Sequence, residues 1–269
     1  MTDRPNLPPL IKDESPEGKH RVLLTVSYDG TAYAGWQRQQ NALAVQQVLE
    51  EALSRLTGES VTVTGSSRTD AGVHALSQMV HFDTASRIPA DKYPFALNTC
   101  LPYDIRVLEG RNVPGTFHAR FDAQGKMYTY RIHNARHASA LYRNLCAHVP
   151  QRLDFSLMQQ SLPALLGTHD FAAFQATGGT AKTTIRTIHD VQLVKSGDDL
   201  TFTIRGNAFL YNMVRIIVGA MLDVGMGRLP VDCFRQALED GSRLSLGVTA
   251  PACGLELTRV YYDPASLGD

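Results

Sequence analysis

Cysteine is scarce in this chain of 269 residues. The four present, Cys100, Cys146, Cys233 and Cys253, are far apart and form no C-x-x-C pair. That argues against a zinc cluster or a disulfide framework and suits reduced thiols in a cytosol. Net charge is lacking too, with 26 basic residues against 26 acidic ones. Composition therefore does not announce a nucleic-acid protein, and any basic surface must be local. Long apolar runs are missing. The most apolar stretch, 213–226, holds Arg215 and Asp223 and is too short to span a bilayer. Residues 1–20 carry four prolines and seven charges. With no apolar core they do not read as a signal peptide, and we expect a mobile tail there. No internal repeat is visible.

What is present is enough for a real core, since 43% of residues are apolar. The length allows one large domain or two small ones. A strand is expected from Arg21 to Tyr28, punctuated by Asp29-Gly30. Val45, Val48, Leu49, Ala52, Leu53 and Leu56 then recur at helical spacing until Gly58 stops them. Two strands, 61–64 and 77–83, bracket a glycine-containing loop, and a short helix (91–101) and a strand (105–109) follow. Pro114-Gly115 marks a turn, where we place the boundary between domains 21–115 and 116–269.

In the second half, 126–133 alternates as a strand, with Tyr128, Tyr130 and Ile132 on one face. A helix over 155–166, a hairpin over 185–194 and 200–205, helices over 209–225 and 231–239, and a strand over 255–262 complete it. Helices mixed with mainly antiparallel strands make both halves α+β.

The chemistry concentrates in the first half's loop, Gly65-Ser66-Ser67-Arg68-Thr69-Asp70-Ala71-Gly72-Val73-His74-Ala75. Loops held by rigid strands are where catalytic groups tend to sit. Arg68 and Asp70 are two apart, so an extended backbone points both to one side, and an arginine beside an aspartate holds it ionised. By itself such an aspartate is more often a loop residue bonding its own backbone. His74 reads as a histidine that hydrogen-bonds the loop. With His81 as the only close companion, it makes a poor metal site.

Tyr128 and Tyr130 behind Lys126 suit core packing and a base-stacking surface equally. Arg215 lies among Met213, Val214, Ile216 and Ile217, where an unpaired charge is costly. A structural carboxylate would satisfy it. The sharper reading pairs it with Asp70, a role Arg205 could also fill. From His118 to Arg152, the six cations Arg120, Lys126, Arg131, Arg136, Arg143 and Arg152 stand against Asp122 alone. They form either an ordinary solvated face or a phosphate-tracking groove.

The loop, with the following Gln78-Met79-Val80-His81-Phe82, closely resembles the catalytic loop of the TruA family of tRNA pseudouridine synthases. Further motifs follow in the family's order: Tyr28-Asp29-Gly30-Thr31, Gly35-Trp36-Gln37, Phe117 to Phe121, Lys126-Met127-Tyr128, His169-Asp170-Phe171, Arg186-Thr187-Ile188, Asn207 to Arg215, and Gly254 to Leu257. The resemblance covers about residues 21–263.

It implies two ferredoxin-like halves whose sheets join into one platform with the cleft between them. It implies a cytoplasmic homodimer that converts uridines at positions 38 to 40 of the tRNA anticodon arm to pseudouridine, with no cofactor, metal or membrane. Asp70 would be the essential carboxylate, Arg68 and Arg215 its catalytic companions, and Tyr128 the residue against the base, with Arg205 a further substrate contact. The rival readings are a tRNA-binding or tRNA-folding protein without catalysis, and a metal-dependent hydrolase using Asp70, His74 and His81. The absence of a dense Asp/Glu/His cluster disfavours the second.

Overall fold

The computed structural model describes residues 18–267. The tail expected over residues 1–20 lies, up to residue 17, outside the described residues. In chain order the elements are β1 (His20–Tyr28), α1 (Val45–Thr57), β2 (Thr64–Gly65), β3 (His74–Thr84), α2 (Tyr93–Asn98) and β4 (Ile105–Val113). Then come β5 (Gly125–His133), β6 (Ala147–His148), α3 (Phe155–Ser161), β7 (Gly167–Asp170), β8 (Ile185–Ser196) and β9 (Asp199–Gly206). Helices α4 (Met213–Gly225) and α5 (Cys233–Asp240) and strand β10 (Leu255–Tyr261) close the chain. The mixture is α+β, as the sequence pattern predicts.

The chain forms two compact units, residues 18–124 with 257–267, and residues 125–256. This division lies beyond the Pro114-Gly115 turn, where the sequence reading places it, and the last strand returns to the first unit. The reason is long-range. Residues 117–121 bond to His81, as described below, and β10 pairs with β3. Neither tie leaves a local sequence signal.

In the first unit the strand order is β4-β1-β3, with β2 also on β3, and the ladders β1–β3, β1–β4 and β2–β3 are antiparallel. With α1 and α2 as connections, this is the ferredoxin-like order. The stripe Val45, Leu49, Ala52 and Leu53 of α1 is fully buried. Gly58, at φ 74°, caps the helix by donating its N–H to Ser54 O.

The sheet has two different faces. Val22 and Leu24 lie opposite Phe82 and Val80, and Phe82 packs edge-on against Tyr93 of α2 at 5.4 Å, so the helices cover that side. On the other side Arg21 lies opposite Asp83, and Leu23 opposite His81 and Arg111. The Arg21 guanidinium grips the Asp83 carboxylate with two bonds of 2.7 Å.

In the second unit the order is β5-β9-β8-β7, all antiparallel, with β6 parallel to β5. The expected β8–β9 hairpin forms, with Ser196 opposite Asp199. Helix α4 begins at Met213, later than its apolar pattern suggests, because Asn212 is left-handed (φ 59°, ψ 6°). A left-handed non-glycine residue interrupts the helical path at some energetic cost. Helix α3 ends at Ser161 and gives way to a tight 3-10 turn over Leu162–Leu165, where Pro163 lacks an N–H to continue it.

Candidate active site

The loop between β2 and β3 is held from several sides. Gln78, fully buried on β3, accepts from Ser66 Oγ at 2.8 Å and from Ser67 N at 3.2 Å, and donates to Ser67 O at 2.6 Å. Thr69 is buried and its hydroxyl shares a hydrogen bond of 2.8 Å with Tyr28 Oη. Thr69 O accepts from Trp36 N at 3.1 Å. This approach needs a glycine at position 35: its φ is 89°, and a Cβ there would sit 2.5 Å from Thr69 O. Gly72 N donates to Tyr33 O, and Val73 N closes a turn onto Asp70 O.

The consequence is an alternation. Arg68 is exposed, Thr69 buried and Asp70 half-buried. Thr69 is anchored inward between them by its hydroxyl and its carbonyl.

His74 is buried and its Nδ1 lies 3.0 Å from Gly30 N and 3.1 Å from Asp29 Oδ1. One nitrogen cannot serve both contacts, because a bare Nδ1 accepts from Gly30 and a protonated one donates to Asp29. The buried Gly30 N–H would be costly to orphan, whereas Asp29 already accepts from Thr31 N and Oγ1. We therefore assign Nδ1 to Gly30, which makes His74 a pin between two loops. Burial alone would raise the Asp29 carboxyl, but the side-chain and backbone hydrogen bonds from Thr31 help hold it below the usual carboxylate value.

In the second unit, Tyr128 on β5 is buried opposite Ile204, with Phe209 edge-on at 5.1 Å. Arg215, half-buried on α4, donates from Nε to Ala250 O at 2.8 Å and from Nη1 to Asn212 Oδ1 at 2.9 Å. Tyr130 donates to the next carbonyl, Pro251 O, at 2.8 Å. Since Tyr128 and Tyr130 share a face of β5, Arg215 lies toward that face. Arg205 does not. It lies opposite Met127, on the other face of the sheet from Tyr128, with its Nε buried and unbonded. The strand register thus separates two residues that the sequence offered as alternatives.

Of the basic segment, Arg120, Arg131, Arg136, Arg143 and Arg152 are exposed, and Arg131 is engaged by Glu256 at 2.7 Å. Among the described residues no three His, Cys, Asp or Glu side chains are disposed to hold a metal ion. His81 Nδ1 accepts from Ala119 N at 3.1 Å.

The sequence pattern of the tRNA pseudouridine synthase family matches residues 24–122 and 162–263. The chain belongs to this family. Curated relatives named tRNA pseudouridine synthase A include one from Acetivibrio thermocellus, 50% identical over 90% of this chain and 99% of the relative. Another, from Ruminiclostridium cellulolyticum, is 48% identical over 90% of this chain and 99% of the relative. A third, from Halalkalibacterium halodurans, is 48% identical over 87% and 90%. As a tRNA pseudouridine synthase the chain is an enzyme, and it isomerises uridine to pseudouridine in tRNA.

For a pseudouridine synthase the loop's supports matter as much as the loop. Gln78, Tyr28, Gly35 and Asn212 escaped the reading of the sequence as supports. Each lies in a matched motif, yet none has a charge or periodicity that marks it. No helix of the described residues is long and apolar enough to cross a membrane.

Proposed function

We propose that the enzyme acts on uridines at positions 38 to 40 of the anticodon arm, as a cytoplasmic homodimer, with Asp70 as its essential carboxylate. The observation that supports the Asp70 assignment is the alternation in its loop: Thr69 is pinned inward at two atoms, between an exposed Arg68 and a half-buried Asp70. The anticodon arm and the dimer rest on the family resemblance. The cytoplasm rests on the tRNA substrate and on the spaced, unpaired cysteines.

The reaction breaks the N1–C1′ bond of uridine, turns the base and joins C5 to C1′. N1 gains a proton and C5 loses one. A target in or beside a stem must leave the stack first. A carboxylate serves the cleavage either by attacking C1′, as in glycoside chemistry, or by removing the C2′ proton to give a glycal. Arg68 holds the flipped geometry or fills the space the base leaves. Tyr128 stacks on the base and helps take the C5 proton. Arg215 is the cation that keeps the carboxylate ionised, and its guanidinium is held for such a role by Ala250 O and Asn212 Oδ1.

The test is tritium release from tRNA carrying 5-tritiated uridine, because C–C bond formation expels that hydrogen. The wild type releases it and Asp70→Asn does not. Near-normal release by Asp70→Asn would sink the assignment.

A further inference from the structure

The segment Phe117 to Asp122 is rigid and ends in an exposed aromatic ring. His118 Nδ1 accepts from both Arg120 N and Phe121 N at 3.2 Å. His118 N donates to Asp122 Oδ2 at 2.9 Å, and Asp122 N returns a bond to His118 O at 3.0 Å. Ala119 is held on both sides, its N by His81 Nδ1 and its O by the Tyr262 hydroxyl at 2.7 Å. Nearly every polar backbone group of the turn is therefore satisfied, and it has little freedom to fold its side chains inward.

On this frame the Phe121 ring stacks on the His118 imidazole at 4.1 Å and 25°. The imidazole in turn rests on His81 at 4.9 Å. Phe121 is nevertheless 76% exposed, so one ring face is covered and the rest meets water. Leaving a phenyl ring in water forgoes the ~2 kcal/mol that its burial contributes. Beside it Arg120 is exposed, and its guanidinium makes no hydrogen bond or ion pair among the described residues. The Asp122 carboxylate is turned back to the His118 N–H.

We propose that Phe121 is a stacking platform for an unpaired base of the tRNA substrate, with Arg120 receiving an adjacent phosphate. A one-sided aromatic held on a rigid turn accepts any base face, and a neighbouring free cation suits the backbone. The platform's position fits a guiding role. His81, on which it rests, lies opposite Thr64, the residue that leads into the Arg68–Asp70 loop. The platform thus fixes substrate relative to the carboxylate, and does no chemistry itself.

The inference rests on tRNA being the substrate, so wild-type turnover and tRNA affinity are measured alongside. Phe121→Ala is expected to weaken tRNA binding roughly 5- to 150-fold, the range for losing one stacked base, raising KM more than it lowers kcat. Phe121→Tyr stays close to the wild type, and Phe121→Leu does not. In Phe121→Trp the new indole is quenched when tRNA saturates the enzyme, against a background from Trp36, which is buried. Arg120→Ala reduces the salt dependence of binding.

An active wild type with unaltered affinity in Phe121→Ala, or an unquenched Phe121→Trp, would overturn the platform alone. A wild type that forms no pseudouridine in tRNA would overturn the underlying reading instead. Dissociation of an oligomer by Phe121→Ala, with affinity per subunit unchanged, would make the ring a contact between copies and would also overturn the proposal.

Discussion

Gln78 grips both ends of the Ser67 residue, accepting from its N–H at 3.2 Å and donating to its carbonyl at 2.6 Å. This places the residue before Arg68 with a buried amide rather than with a strand ladder. Gln78→Leu keeps the volume and removes all three bonds, to Ser66 Oγ and to the N–H and carbonyl of Ser67, in a buried setting. Each buried group left unsatisfied costs about 1–3 kcal/mol. The expected outcome is a lower melting temperature and a kcat reduced at least roughly tenfold, with KM for tRNA little changed. Gln78→Glu keeps the acceptor but loses the donor to Ser67 O, and should fall between. Unimpaired kcat in a folded Gln78→Leu variant would show that the loop's geometry is set elsewhere.

His81 makes stability depend on pH. Burial, with Arg21 and His118 adding to it, pushes its imidazole down to about 4 from an ordinary 6.5, against the opposing pull of Asp83 and Asp122. Its Nδ1 must be bare to accept from Ala119 N. The folded state therefore binds this proton less readily than the unfolded chain. The contribution is complete above about pH 6.5 and is lost as pH falls toward 4, by up to about 3 kcal/mol. Thermal melts from pH 7.5 to 4.5 should fall more steeply for the wild type than for His81→Gln, which can still accept from Ala119. Parallel curves would refute this.

Asn212 holds Arg215 through Oδ1 while standing at φ 59°. Asn212→Gly adopts that conformation without strain and loses only the bond, so stability should change little while kcat drops. Asn212→Ala adds the strain of a left-handed alanine, about 1–2 kcal/mol, and should melt lower as well. Arg215→Lys replaces a planar fork by a point charge and should lose activity to the same readout, tritium release. If Asn212→Gly turns over like the wild type, the guanidinium is fixed well enough without the Asn212 bond.

Some of the fold could be read directly. The stripe of α1 and its Gly58 stop are local periodicities, and they appear where expected. The strand expected over residues 61–64 is mostly not one, since β2 spans only Thr64–Gly65. Side chains of α1 replace the ladder there. Ser54 Oγ accepts from Val61 N, Glu50 Oε1 accepts from Val63 N, and Gln46 Nε2 donates to Val63 O. Buried Val61 and Val63 give the alternation of a strand without its pairing, so pattern alone misreads it.

The same limit applies at Arg205 and Arg215, which the sequence offers as alternative partners of Asp70. Only the pairing of Met127 with Arg205 shows that Arg205 leaves by the opposite face from Tyr128. What the amino-acid sequence determined by itself is the α+β class, from periodicities within a few residues, and the family, from several spaced motifs standing in the family's order. Tertiary structure decided which groups hold that loop, which arginine shares a face with Tyr128, and which aromatic is left in water. Those depend on hydrogen bonds and strand register between residues far apart in the chain, and a buried amide such as Gln78 gains its meaning only from the partners that folding brings to it.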